Sequence, residues 1–359
     1  MTLWSSELWL AGLIPRAPTS PYYYGVNPVP EGVFGMLAGV WQRWDVIHYT
    51  RIATSGYSAP ELSGFHPLFP LLGGAVAKLL RIEPLLALML VANLALALSL
   101  VLLYQLVAAE FGAKAARGTI VALLAFPGAF FLSIGYAESL TLMLAVATIL
   151  CVRKARWAPA LLLGIAAGFS HSTSTVLVVP LLVEAYRQTR GQPFGQRWAV
   201  LGSAFGPAVG TWLFLAWRTS QALPPWAAIQ RELWGVAVHW PWEGLYSAAS
   251  VFRSPYLVLT GWANLLVLAA ALLTGIWWLR RGWSAWTAYH FSLLIFLLSV
   301  DVIGEPLASW IRHLVVLPPL FVGLSGLLGR GWTARVALLV GAGVQLYLSA
   351  LFMSWIWVA

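Results

Sequence analysis

From Pro84 onward the chain is a succession of apolar runs, at about 84–107, 118–135, 139–152, 157–169, 172–186, 198–217, 256–279, 284–300, 313–328 and 334–357. A helix of about 20 apolar residues crosses the roughly 30 Å hydrocarbon core of a bilayer. A chain that repeats such runs, with 9% charged residues and a mean hydropathy of +0.80, reads as an all-α, polytopic integral membrane protein. Residues 1–14 are apolar but short, and are expected as an abbreviated first span, giving about eleven in total. A cleaved signal peptide is the alternative there, but no basic n-region and no small-residue cleavage pattern precede Pro15. One integral domain is expected over 1–359, with a large first outer loop at 15–83 and a second at 218–255.

The single cysteine, Cys151, excludes an intramolecular disulfide and any cysteine-based metal cluster. The net charge of +9 is explained by orientation. With the 15–83 loop outside, the inner loops hold twelve Lys and Arg against Glu110 and Glu184, and the outer segments are neutral. The positive-inside rule therefore puts the 15–83 side outside, in periplasm, cell exterior or organelle lumen. Nucleic acid is left without support as a partner.

The polar chemistry of the first quarter lies between Trp41 and Pro70, in WQRWDVIHYTRIATSGY and then FHPLFP. If 43–54 is helical, Asp45, His48, Tyr49 and Ile52 share one face. Trp41 and Trp44 flank Asp45 and favour a membrane–water boundary. A partly desolvated carboxylate there is a candidate general base; a helix-capping role for Asp45 fits the spacing equally well. Residues 65–80, interrupted by two prolines and two glycines, read as an interfacial or partly inserted helix.

The same topology brings Tyr136, Glu138, His171, Gln230, Arg231, Arg312 and His313 to the outer face, together with Trp44 and His66 as candidate substrate contacts. Each has a plainer reading: Glu138 as a helix-start carboxylate, His171 satisfying a turn, Arg312 snorkelling, the Trp-rich 218–255 loop as an interfacial helix. His290, within a span, reads as a helix–helix hydrogen-bond partner. No nucleotide-binding or H-E-x-x-H pattern occurs. No cofactor is called for. His48, His66 and an acid suit zinc or manganese by residue type, but their spacing matches no closed site. A base beside cationic groups at a bilayer surface suits a sugar donor carried on a lipid phosphate.

The run WDVIHYTRIA (Trp44–Ala53), Gly56 and Tyr57, FHPLFP (Phe65–Pro70), Phe126 and Pro127 with Phe130 and Phe131, YAESL (Tyr136–Leu140), QRELWG with Pro241 and Trp242, and WIRHLVVLPPLF (Trp310–Phe321) resemble, in order, the PIG-V mannosyltransferases of the GT-C glycosyltransferase superfamily. The resemblance implies a GT-C fold, a polyprenyl- or dolichyl-phosphate-mannose donor, a lipid or glycan acceptor, inversion at the anomeric carbon, and Asp45 as base. Tyr136 and Glu138 then shape the sugar or acceptor pocket. The chain departs from the family pattern at Ser170–His171–Ser172, where a Thr-Arg-Ser type turn is common, and at His66, in a usually aromatic position. The implied membrane is the plasma membrane in a prokaryote and the endoplasmic reticulum in a eukaryote. A transporter or lipid flippase, which predicts inverted repeats and midplane charges, and an inactive member of the same fold are the alternatives.

Overall fold

The computed structural model describes residues 24–26, 32–249, 260–303, 305, 307–329 and 331–358. The short span expected at 1–14 and the end of the second outer loop lie outside the described residues.

A short helix, α1 (Gly32–Leu37), precedes α2 (Asp45–Ser55) and α3 (Leu68–Leu80). The bundle follows: α4 (Pro84–Leu124), α5 (Glu138–Arg153), α6 (Trp157–Ser170), α7 (Val178–Thr189), α8 (Phe194–Ser203) and α9 (Gly206–Ser220). Two loop helices, α10 (Trp226–Trp234) and α11 (Pro241–Ala249), lead to α12 (Thr260–Arg280) and α13 (Ala285–Leu298). The chain closes with α14 (Trp310–His313), α15 (Pro318–Leu328) and α16 (Trp332–Met353). The strand content described is one two-stranded ribbon, β1 (Val236–Val238) antiparallel to β2 (Val300–Val302), with Ala237 opposite Asp301. It ties the second outer loop to the segment before Arg312.

Among the described residues, three helices are long and apolar enough to cross a membrane: α4, α12 and α16. Two more candidates are bent pairs, α8 with α9 at 54° and Trp310–Val316 with α15 at 91°. By length and composition alone these make three to five full-length candidates among the described residues, where the sequence leads to an expectation of about eleven spans. Helices α3, α6 and α13, at 13, 14 and 14 residues, are apolar but short. A half-length helix enclosed by neighbours satisfies its own backbone and buries its side chains without matching the bilayer's thickness. Helix α5 is such a case, with both ends and most of its length buried. Leu94, Leu98, Val101, Leu266, Leu273, Leu339 and Val340 lie exposed along the long helices, an apolar outer face that suits lipid. The protein is an all-helical integral membrane protein.

The first arm of α4 covers the expected span 84–107, and the second covers the start of the one expected at 118–135. Helix α4 breaks at Gly112, whose φ of 84° and ψ of 161° are open to glycine but costly for other residues. The second arm returns alongside α15 and ends at Leu124. The turns that follow carry Gly128 against the Ile311 carbonyl and Gly135 against Val46 and Leu88. Residues 128–135 are thus back at the end of the bundle where α4 began. Helices α6 and α9 pack through Gly164, Gly168, Gly206 and Gly210, four residues apart on each helix, where a Cβ at Gly168 would strike the Pro207 carbonyl and one at Gly210 the Ile165 carbonyl.

Candidate active site

Asp45 is the first residue of α2, and the backbone that delivers it is strained. Trp44 has φ 52° and ψ −124°, a region non-glycine residues avoid. Its indole is held edge-on by Trp357 at 5.1 Å and Trp355 at 6.3 Å. Beside it the buried Arg43 donates from Nε to the Met353 carbonyl at 3.3 Å and lies over the Trp355 ring at 4.3 Å. The expected helix to residue 357 therefore stops at Met353, and the following residues fold against the turn that presents Asp45. Val46, Ile47, His48, Tyr49, Ile52 and Ala53 bury the inner face of α2, and Gly56 ends it. No side-chain bond caps this helix.

The Asp45 carboxylate is turned to Arg312 instead. Arg312 Nη1 donates to Asp45 Oδ2 at 2.5 Å, and Arg312 Nε lies 3.1 Å from Glu138 Oε1. The three side chains are 16%, 10% and 3% exposed for Asp45, Arg312 and Glu138 respectively. Arg312 does not snorkel: it is an interior cation bridging two carboxylates from elements remote in sequence. Ser309, which starts α14, takes φ 64°, so both members of the Asp45–Arg312 pair follow a residue in the left-handed region. The guanidinium also lies 5.3 Å from the centre of the Tyr136 ring. Glu138 Oε2, Tyr136 Oη and His48 Nδ1 are buried with no hydrogen-bond partner among the described residues. Buried polar atoms without partners are uncommon in folded proteins, and three of them surround this ion-pair triad.

Aromatic rings wall the triad. Tyr49 packs edge-on against Phe65, Phe69 and Tyr136. His48 stacks on Phe65 at 5.0 Å and meets Trp234 edge-on at 5.2 Å. Burial pushes the His48 imidazole down to about 4, against the pull of Asp45. A second row of histidines leads away: His313 accepts from Arg312 Nη2 at 3.4 Å, His171 is 5.6 Å from His313, and His66 is 6.4 Å from His171. His66 Nδ1 donates to the Gly168 carbonyl at 3.1 Å, and His171 Nδ1 faces Thr173 Oγ1 at 2.9 Å. The rings form a row and are not gathered around a point. Burial pushes both His66 and His171 down to about 3.

These values predict a pH dependence of stability. In the folded protein His48, His66 and His171 take protons less readily than in the unfolded chain. Stability is therefore full above the unfolded value of about 6.5 and falls as the pH drops through 6 towards 4. Melting temperatures measured between pH 7.5 and 4.5 should fall steadily. A His66→Phe, His171→Gln protein should fall less steeply, and an identical slope would show that other groups set the acid limit.

The structure thus brings together Trp44, Asp45, His48, Tyr49, Tyr136, Glu138, Arg312 and His313, with His171 and His66 behind them. It does not bring in Arg231, which is exposed and pairs with Glu232 at 3.7 Å. Gln230 is structural, donating to the Gly64 carbonyl at 3.2 Å beside Trp226, which does the same. Of the cations expected for an anionic group, Arg312 lies in the triad, Arg231 lies apart from it, and burial lowers the proton affinity of His171. His290 bonds the Ala271 carbonyl at 2.8 Å, the helix-to-helix role expected of it. Sequence reasoning missed Phe65 and Trp234 as walls of the site, and Arg43 as the support behind the Trp44 turn.

No protein-family model and no curated protein matches the chain. Two solved structures match, both of the Archaeoglobus fulgidus oligosaccharyltransferase. The one complexed with zinc and sulfate is 13% identical over 99% of this chain and 53% of that one, with a TM-score of 0.44. The one tethered to an acceptor peptide is 13% identical over 98% and 55%, with a TM-score of 0.42. The chain spans about half the length of the protein it matches. The fold and site described above rest on this chain's own geometry.

Proposed function

We propose that the protein is a membrane-embedded glycosyltransferase of the GT-C type, similar to the PIG-V mannosyltransferases. It transfers mannose from a polyprenyl- or dolichyl-phosphate carrier to a lipid or glycan acceptor on the outer or lumenal face. The observation that carries this reading is the convergence of Asp45, Glu138 and Arg312, from three distant segments, into one partly buried triad.

The chemistry follows from the donor atoms. The acceptor hydroxyl oxygen attacks the anomeric carbon from the face opposite the carrier phosphate. The new C–O bond forms as the bond to the phosphate oxygen breaks, and the configuration inverts. Asp45 takes the hydroxyl proton; Oδ2 is held by Arg312 and Oδ1 is left for that proton. A phosphate leaves without being protonated, so a single base suffices. Arg312 places a fixed positive charge where negative charge develops on the leaving group, an arrangement worth several kcal/mol in a water-poor site. Glu138 holds the far side of the guanidinium, and Tyr136, Tyr49 and Phe65 form the aromatic wall around the triad.

The test is transfer of labelled mannose from polyprenyl-phosphate-mannose to membrane lipids by purified protein in liposomes, with polyprenyl-phosphate-glucose in parallel. Mannose transfer above that of protein-free liposomes supports the reading. Transfer of glucose alone reassigns the sugar, and transfer of neither removes the activity.

A further inference from the structure

The end of the bundle away from Asp45 carries a second feature. Helix α5 runs from Glu138 in the triad to Arg153, which pairs with Glu110 at 3.1 Å. About 23 residues of straight helix, roughly 35 Å, separate Leu88, beside the site, from Phe111. Near Phe111 the break at Gly112, the last turns of α12 and α15 and the first turns of α16 line an open cavity of about 710 Å³. Four cations line it, Lys114, Arg117, Arg281 and Arg335, and no carboxylate does. None of the four has an ion-pair partner among the described residues. The Arg281 guanidinium lies over the Trp277 ring at 4.2 Å. Most of the remaining wall is apolar and includes Val121, exposed on the outside of the bundle, as is the nearby Leu339.

We propose that this cavity binds an anionic phospholipid, with its phosphate among the four cations and an acyl chain along the apolar wall. Four uncompensated positive charges at one rim call for an anion. A basic pocket between helix ends, opening towards the lipid-facing side, suits a headgroup still attached to its chains. The volume exceeds what a bare phosphate fills and falls in the range of small-ligand pockets, about 300–1,000 Å³. The occupant sits at the opposite end of the protein from the triad, so its binding is independent of the transfer reaction.

The experiment is titration of purified protein in neutral detergent with dioleoylphosphatidylglycerol, dioleoylphosphatidylcholine or inorganic phosphate, read by native mass spectrometry and by melting temperature. Phosphatidylglycerol is expected to bind and to raise the melting temperature, and phosphatidylcholine to do neither. An Arg117→Gln, Arg335→Gln protein should bind phosphatidylglycerol at least tenfold more weakly, and an Arg187→Gln, Arg190→Gln protein as the wild type does. Equal binding of the two lipids, or equal losses in the two double variants, overturns the site. A melting shift reproduced by inorganic phosphate alone overturns the lipid assignment.

Discussion

An Asp45→Asn protein is expected to fold as the wild type does and to transfer sugar at least about a hundredfold more slowly, the usual worth of a general base being about 10² to 10⁴ in rate. Asparagine keeps the size of the side chain, and its carbonyl oxygen can still accept from Arg312 Nη1, as Asp45 Oδ2 does at 2.5 Å. Arg312 also keeps Glu138 at 3.1 Å, so the guanidinium stays paired. What disappears is the group that takes the proton. The loss should fall on kcat with KM little changed, because the acceptor and donor still bind. Rates measured on matched amounts of protein with equal melting temperatures make the comparison clean. Equal activity in the two proteins reduces Asp45 to a structural partner of Arg312.

The largest loss of stability is expected at Arg312. In an Arg312→Met protein two carboxylates, Asp45 and the almost fully buried Glu138, face one another without their cation. Removing one partner of a buried ion pair costs about 3–5 kcal/mol, because the remaining charge is left uncompensated. Arg312→Lys should recover little, since one ammonium cannot reproduce separate Nε and Nη1 contacts to two acids. Adding Asp45→Asn and Glu138→Gln to Arg312→Met removes the stranded charges and should restore most of the melting temperature. If Arg312→Met melts with the wild type, the triad does not hold these segments together.

Much of this site could be read from the chain alone, but not how it is joined. The 43–54 helix, the shared face of Asp45, His48 and Tyr49, and the return of ionisable residues to one end all follow from helical period and span counting. The partner of Asp45 does not, because period and propensity carry information over a turn or two while this contact joins residues 267 apart. Snorkelling was a local explanation for Arg312, and a long-range contact displaced it; Glu138 does start a helix, as expected, and joins the same contact. Hydropathy likewise locates apolar helices without distinguishing residues that face lipid from those that face other helices, so it does not give the length of each. The ribbon between Val236–Val238 and Val300–Val302 has three residues per strand, too few for an alternating pattern to register.

The separation of Asp45 from Arg312 also sets a clock. A chain made at about 5–20 residues per second needs roughly 15–50 s to go from the first of these residues to the second. Through that interval the nascent protein carries Asp45 without its counter-charge, while the helices of its first half are already entering the bilayer. The triad is among the last parts to be completed, so a chain halted before Arg312 holds most of the bundle while Asp45 and Glu138 still lack the cation that joins them.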